Sequence, residues 1–203
     1  MKISQVIVRI ATPIVWLLFP YFTKHKQEAL DAVKGKRYII CCNHTSFADP
    51  AILLVAHPKA IYFMAKAELF RNKIAAWFLG TVMGAFPVTR GTGDTTAIDT
   101  ARNILNKGHV LGIFPEGTRS KTGELGRGKS GAALLAAQTG AHVLPVCLVP
   151  TRSKRVKIFH PTVAVYGQPI SPEELHLTDT DHPDLRYATR KIMDSIAKLR
   201  EQA

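Results

Sequence analysis

A histidine and an aspartate lie five residues apart in the sequence, directly after a run of apolar residues. His44 follows the run Arg37–Cys42, and both His44 and Asp49 fall within Asn43–Pro50. Histidine is the usual general base near neutral pH. A neighbouring carboxylate can fix the tautomer of the imidazole and stabilise its protonated form. The spacing permits a general base with its orienting acid, but an aspartate before a proline is also typical of a helix N-terminus, so the spacing alone does not favour catalysis.

Two further polar segments contain an arginine after an apolar run. Arg90 follows Ala85–Val88, and its guanidinium could bind a phosphate through paired hydrogen bonds or lie in a solvated turn. The segment Phe114–Ser120 combines a carboxylate, a glycine turn, a hydroxyl and a guanidinium, and by itself it could be an ordinary polar turn. The candidate binding residues in these two segments are Arg90, Glu116, Gly117, Thr118 and Arg119.

The sequence carries no glycine-rich nucleotide-binding motif of the GxGxxG or P-loop kind, and no cysteine or histidine spacing typical of a zinc site. We therefore expect no cofactor and no metal. The three cysteines, Cys41, Cys42 and Cys147, do not form a disulfide framework, which favours a reducing, cytoplasmic compartment. Cys41 and Cys42 lie close to His44 and could form a cysteine nucleophile with it, but their strand-like surroundings favour buried, inert thiols.

Strand-like and helical segments alternate along the chain after residue 36. This alternation predicts an α/β fold with a mostly parallel central sheet flanked by helices. Ligands of such sheets bind at the carboxyl ends of the strands, and each polar segment follows a predicted strand. The predicted strands are Arg37–Cys42, Ile61–Ala65, Ala85–Val88, Val110–Phe114, Val143–Val149 and Val156–Tyr166, the last bent at Pro161 or divided there. The predicted helices are Pro50–His57, Glu68–Phe78, Thr95–Asn106, Gly131–Gln138 and Pro183–Arg200.

The first 23 residues are mostly apolar, and residues 24–203 are expected to form a single domain. Arg9, Pro13 and Pro20 disfavour a spanning helix, and no small-residue cleavage site follows the apolar run. Its aromatic residues favour an apolar membrane-associating helical segment that lies in the membrane interface. A spanning helix and a helix packed on the core of the domain are the alternatives.

The polar segments, taken together and in order, resemble the motifs of the glycerolipid acyltransferase family. The His-x4-Asp motif of the family is matched by His44 and Asp49 in NHTSFADP, and its Phe-Pro-Glu-Gly-Thr-Arg-Ser motif is matched in full by Phe114–Ser120. The family's second motif ends in an arginine, matched by Arg90 in FPVTRG, where many members have Ile-Asp or similar before the arginine. A proline-containing apolar strand, Val143–Val146, matches its fourth motif, so the resemblance covers residues 38–150.

The resemblance implies an acyltransferase domain over residues 24–203 that acts at the cytoplasmic face of the cell membrane. The implied reaction moves a fatty acyl group from acyl-ACP or acyl-CoA to the sn-2 hydroxyl of 1-acyl-glycerol-3-phosphate (lysophosphatidic acid), giving phosphatidic acid in phospholipid biosynthesis. Glycerol-3-phosphate or another lysolipid is the alternative acceptor. The resemblance implies that His44 and Asp49 are catalytic. It implies that Arg90 and Arg119 bind the acceptor phosphate, in a pocket shaped by Gly117 and Thr118. It implies that Glu116 organises the arginines or binds acceptor hydroxyls.

The strong positive charge of the chain favours an anionic partner. The formal net charge is +12 and the isoelectric point is near 9.8. Nucleic acid and an anionic lipid leaflet both fit such a charge, and the cluster Arg152–Lys157 is the best candidate patch for a nucleic acid. No recognisable nucleic-acid-binding module accompanies it, and the same cluster could bind lipid headgroups or the phosphates of coenzyme A. We therefore expect membrane lipids, and no nucleic acid, as partners.

Overall fold

A seven-stranded sheet forms the centre of the structure, a computed structural model that describes residues 12–89, 94–179 and 182–203. Its strands are β1 (Tyr21–Lys24), β2 (Tyr38–Cys42), β3 (Ile61–Lys66), β4 (Ala85–Val88), β5 (Val110–Ile113), β6 (His142–Pro150) and β7 (Thr162–Tyr166). They are ordered β1-β7-β6-β2-β5-β3-β4. All neighbouring strands are parallel except β6 and β7. The predicted α/β fold with a mostly parallel sheet flanked by helices is confirmed.

Helices cover both faces of the sheet. They are α1 (residues 12–18), α2 (Lys26–Ala32), α3 (Asp49–Ala56), α4 (Lys73–Trp77), α5 (Thr95–Asn106), α6 (Gly131–Thr139) and α7 (Leu185–Arg200). Residues of α5, α6 and α7 pack on one face together with Ile39 and Cys41 of β2. Residues of α2 and α3 pack on the other face together with Ile40 and Cys42. Because side chains of a strand alternate between the faces, a strand buried on both faces is apolar throughout, as β2 is.

The topology brings two of the polar segments together. β2 lies between β5 and β6, and it runs parallel to both. The carboxyl ends of β2 and β5 therefore meet at the same edge of the sheet, where His44 follows β2 and Glu116 follows β5. Short connections after these strands are enough to place both residues in one site.

Two predicted elements differ from the structure. The helix predicted over Glu68–Phe78 is broken into a 3₁₀ turn, Ala67–Phe70, then α4 and a π turn, Phe78–Val82. The break falls at Asn72, whose side chain accepts hydrogen bonds from the backbone N–H groups of Ile74 and Ala75 and so starts a new helix. The strand predicted over Val156–Tyr166 forms only from Thr162 onward, and residues 151–161 are a loop.

The N-terminal segment leads directly into the sheet. Residues 1–11 lie outside the described residues, and α1 ends at residue 18. Tyr21 pairs with Thr162 in β1, a strand that the sequence analysis did not predict. Phe19 is buried in the core, whereas Trp16 and Leu17 are exposed. Among the residues that the structure describes, no helix combines the length and the apolar character needed to cross a membrane. The division at residue 23 stays a prediction.

A buried histidine makes the stability of this fold depend on pH. His57 is 5% exposed, its Nε2 lies 3.0 Å from the hydroxyl of Tyr38, and burial lowers its pKa from 6.5 to about 4. The unfolded chain therefore binds a proton at pH values where the folded chain does not. We expect this histidine to contribute about 3 kcal/mol of stability above pH 6.5 that is lost as the pH falls toward 4.

Denaturant unfolding at pH 7 and at pH 4.5 checks this expectation. The variant His57→Gln removes the titrating group, so its stability should fall less between the two pH values than that of the wild type. An equal fall in both proteins would show that His57 does not carry the predicted linkage.

Candidate active site

An asparagine at the end of β2 fixes the backbone that precedes His44. The side chain of Asn43 donates from Nδ2 to the carbonyl of Leu148 at 3.0 Å and accepts from the N–H of Leu148 at 2.8 Å. The Asn43 amide thus continues the pairing of β2 with β6 after the regular ladder has ended. Its burial and this paired bond make it a positioning residue that the sequence analysis did not identify. Its place directly before His44 was the available signal.

His44 and Asp49 are in contact. The Nδ1 atom of His44 lies 2.8 Å from Oδ2 of Asp49, and the aspartate is fully buried. The same oxygen accepts hydrogen bonds from the backbone N–H groups of Thr45 at 2.6 Å and Ser46 at 2.7 Å. Three donors on one oxygen fix the position of the carboxylate firmly.

The alternative interpretation of Asp49 as a helix cap is wrong. Ala48 occupies the N-cap position of α3, and no side-chain cap hydrogen bond is made there. Asp49 is the first residue of the helix, and its side chain turns back to the loop that precedes it. Its Oδ1 atom is buried without a hydrogen-bond partner among the described residues. A buried oxygen without a partner is costly for a purely structural residue, so the arrangement fits a carboxylate that orients the histidine.

The bond to Asp49 sets the tautomer of His44. A carboxylate can only accept, so Nδ1 of the neutral ring carries the proton and Nε2 has a free lone pair. No described residue forms a hydrogen bond with Nε2, and the side chain of His44 is 16% exposed. This nitrogen can therefore take a proton from a hydroxyl group that enters the site from solvent.

A stack of aromatic rings supports the imidazole. The ring of His44 lies 4.1 Å from that of Phe114 and nearly parallel to it, and Phe114 stacks in turn on Phe63 at 5.9 Å. Phe63 packs over Gly112 in β5, where any larger residue would collide with its ring. The stack supports one face of the imidazole of His44. The apolar character of both phenylalanines is the only signal for this role in the sequence.

Glu116 joins the His44 loop to the loop that follows β5. The glutamate is 7% exposed, its Oε1 accepts from the N–H of His44 at 2.9 Å, and its Oε2 accepts from the N–H of Gly126 at 2.9 Å. The carbonyl of His44 accepts in turn from the N–H of Ser120 at 2.7 Å. Glu116 therefore positions the backbone of His44, a role different from the predicted binding of acceptor hydroxyls or arginines.

Substitution of Glu116 by glutamine tests this positioning role. The amide group must turn its NH₂ toward one of two backbone N–H groups, which leaves a buried donor unsatisfied and costs about 1–3 kcal/mol of stability. Displacement of His44 can lower kcat by up to about 100-fold. The acceptor KM should stay unchanged. Steady-state kinetics and thermal unfolding measure both effects, with Glu124→Gln, an exposed glutamate of the same loop, as the control. A raised acceptor KM with an unchanged kcat would show that Glu116 binds the acceptor.

The predicted phosphate-binding residues lie partly within the described structure. Gly117 forms the turn after β5 with φ +69°, and the side chain of Lys129 packs against it. Thr118 and Arg119 are exposed, and Arg119 forms no hydrogen bond or ion pair with another described residue. Arg119 directly precedes Ser120, whose N–H binds the carbonyl of His44, so the backbone of Arg119 lies next to the His44 loop. Arg90 lies outside the described residues.

The cysteines near His44 do not suit nucleophilic catalysis. Cys41 and Cys42 are fully buried within β2, and burial raises the pKa of both thiols far above their usual range. Cys147 of β6 is also buried, with a pKa raised to about 12. Neutral, inaccessible thiols are poor nucleophiles. The site therefore offers a histidine base and no cysteine nucleophile near it.

Comparison with known proteins gives an independent view of the chain. A family model described as Acyltransferase matches residues 22–149. The 1-acyl-sn-glycerol-3-phosphate acyltransferase of Bacillus subtilis is 34% identical over 160 residues, which are 78% of this chain and 75% of the relative. A protein of the same name from Streptococcus pneumoniae is 32% identical over 145 residues, which are 70% of this chain and 53% of the relative.

Similarity to a solved structure extends over nearly the whole chain. That structure is the crystal structure of the 1-acyl-sn-glycerophosphate (LPA) acyltransferase from Thermotoga maritima, which matches with a TM-score of 0.68 and 21% sequence identity. The match covers 98% of this chain and 80% of that protein. At this level of identity the likeness concerns the arrangement of the sheet and helices.

Proposed function

The chain belongs to the acyltransferase family, and on that premise we propose that it acylates the sn-2 hydroxyl of 1-acyl-glycerol-3-phosphate. The donor is the thioester of acyl carrier protein or of coenzyme A, and the product is phosphatidic acid for phospholipid biosynthesis. The observation that carries the proposal is the contact between His44 and the buried Asp49, which leaves Nε2 of the histidine free to act as a base. The names of the relatives support lysophosphatidic acid as the acceptor.

The proposed reaction uses this geometry. Nε2 of His44 takes the proton of the acceptor hydroxyl as the hydroxyl oxygen forms a bond to the carbonyl carbon of the thioester. The carboxylate of Asp49 stabilises the imidazolium that forms. The C–S bond then breaks, and the leaving thiolate takes the proton from Nε2, which restores the neutral histidine. Backbone N–H groups stabilise the oxyanion, and no acyl-enzyme is formed.

The acceptor phosphate is proposed to bind Arg90 and Arg119, in a pocket shaped by Gly117 and Thr118. A phosphate monoester carries close to two negative charges at neutral pH, and arginine binds such a group through forked hydrogen bonds. Arg119 supports this assignment because it is exposed beside the His44 loop and no acidic described residue neutralises it.

Loss of Arg119 should weaken the use of charged acceptors. Hydrogen bonds to charged groups contribute roughly 1.5–3 kcal/mol, so Arg119→Ala should lower kcat/KM for lysophosphatidic acid by about 10–150-fold. Arg119→Lys should recover only part of that loss. The control Arg190→Ala removes an exposed arginine of α7 and should have little effect. Equal losses with lysophosphatidic acid and with uncharged monoacylglycerol would contradict phosphate binding by Arg119.

A panel of acceptors tests the proposed function. Transfer rates are measured with lysophosphatidic acid, glycerol-3-phosphate, lysophosphatidylglycerol and lysophosphatidylcholine, each with acyl-ACP and acyl-CoA. We expect lysophosphatidic acid to give the highest kcat/KM. A clear preference for glycerol-3-phosphate or another lysolipid would keep the acyl-transfer chemistry and overturn the acceptor.

The enzyme is proposed to work at the cytoplasmic face of the cell membrane, where a two-chain product is released. The exposed apolar side chains of α1, Ile14, Trp16 and Leu17, support contact with lipid. The free, buried cysteines fit a reducing compartment.

A further inference from the structure

The loop between β6 and β7 is strongly basic, and its cationic side chains are exposed to solvent. Residues 151–161 carry Arg152, Lys154, Arg155 and Lys157 and no carboxylate. All four side chains are exposed, and none of them forms an ion pair with a described residue. So dense a group of unneutralised cations repels itself, and it gains most when an anionic surface lies against it.

The tip of this basic loop is apolar. Ile158 is 48% exposed and Phe159 is 67% exposed. Phe159 also adopts φ +61°, a left-handed conformation that is rare and strained for a bulky side chain. The strain and the exposure together indicate a residue that is held outward for contact with an apolar medium.

The basic loop is fixed in place at three points. Thr151 bonds to the carbonyl of Pro161 through both its N–H and its hydroxyl and closes the base. The N–H of Val156 donates to the hydroxyl of Thr45, the neighbour of His44, at 3.3 Å. The N–H of Phe159 donates to the carbonyl of Leu18 in α1 at 2.7 Å. The loop is thus a rigid arm attached both to the catalytic loop and to the N-terminal helix.

Other exposed apolar residues adjoin these attachment points. Phe47, 70% exposed, lies three residues after His44 and packs edge-on against Phe19. Trp16 and Leu17 precede the Leu18 carbonyl that the loop binds, and both are exposed. A nucleic acid or an acidic protein would account for the cations, but the exposed apolar side chains beside them fit a lipid headgroup region.

We propose that the β6–β7 loop is a second membrane-contacting element, which binds anionic lipid headgroups through its cations and inserts Ile158 and Phe159 at headgroup depth. This inference rests on the proposed function, because a lipid acceptor is what requires the site to face a membrane. Since the loop is bonded to Thr45, its contact with the leaflet holds the mouth of the site at the lipid surface. The N-terminal helix alone would not fix that orientation.

Vesicle binding of the full-length chain tests the loop. The variant K154Q/R155Q/K157Q is compared with the wild type on vesicles of equimolar phosphatidylcholine and phosphatidylglycerol. Each cation near an anionic leaflet raises the vesicle affinity about fivefold, so the affinity of the triple variant should be about 100-fold lower than that of the wild type. The control R186Q/R190Q/K198Q removes the same charge from exposed positions of α7, on the opposite face of the sheet, and should change the affinity only a few-fold.

A second variant tests the apolar tip without loss of charge. Asparagine tolerates the left-handed conformation, so Phe159→Asn should fold normally and lower vesicle affinity by about tenfold. Transfer to short-chain, soluble acceptors should match the wild type in all loop variants, which separates this inference from the proposed reaction. The inference is overturned if the loop variants bind anionic vesicles as tightly as the α7 control. It is equally overturned if their only defect is a raised KM for acyl-ACP or a loss of binding to duplex DNA.

Discussion

Replacement of His44 by alanine is expected to lower the rate of acyl transfer by about 10²–10⁴-fold, the usual contribution of a general base. The hydroxyl of the acceptor then has no base within reach. Asp49, which contacts Nδ1 of His44 in the wild type, cannot replace it because its side chain is fully buried. The rate is measured with saturating donor and acceptor, so that a loss of binding does not conceal the chemical step.

Two controls accompany this measurement. Thermal unfolding should show that His44→Ala is folded, since its backbone bonds to Glu116 and Ser120 do not need the imidazole. The variant His182→Ala removes an exposed histidine far along the chain and should keep the wild-type rate. A folded His44→Ala protein with a rate near that of the wild type would rule out general-base catalysis by His44.

Replacement of Asp49 by asparagine is expected to lower the rate by a comparable factor of about 10⁴, as loss of the carboxylate does in other histidine-acid pairs. The amide oxygen can still accept from the three donors that Oδ2 serves, so His44 stays in place. The charge that stabilises the imidazolium is lost. In addition, the NH₂ group falls where Oδ1 lies buried without a described partner, which destabilises the fold modestly.

A true helix cap provides the matched control. Asp184 caps α7 through a 2.8 Å bond from the N–H of Tyr187, and asparagine caps a helix as well as aspartate does. Asp184→Asn should therefore keep both stability and rate. If Asp49→Asn is as active as this control, the carboxylate of Asp49 has no catalytic role.

The residues that carry the chemistry could be predicted from the sequence more fully than the contacts that hold them in place. The combination of the His-x4-Asp motif with Phe114–Ser120 identified His44 and Asp49, and the structure places Nδ1 and Oδ2 of these residues 2.8 Å from each other. Glu116 was identified as a site residue, but its two bonds to the backbone of His44 and Gly126 depend on the pairing of β2 with β5. Contacts between distant segments of this kind leave no local pattern in a sequence.

The fold errors have the same physical origin. The apolar and β-branched residues of Val156–Tyr166 are typical of a strand, yet the N–H groups of Val156 and Phe159 bind Thr45 and Leu18, so no ladder forms before Thr162. Tyr21–Lys24 becomes a strand only because β7 lies beside it. By contrast, α5 is set locally, and its start at Thr95 after the capping Asp94 was predicted correctly.

The most direct test of the account is the initial rate of phosphatidic acid formation from labelled 1-acyl-glycerol-3-phosphate and an acyl thioester, followed by mass spectrometry. With wild-type protein we expect one thiol released for each acyl group that appears at the sn-2 position, and no product from the 2-deoxy acceptor. With His44→Ala we expect the rate to fall by about 10²–10⁴-fold. Thioester consumption that does not depend on the acceptor, or an undiminished rate in His44→Ala, would contradict the account.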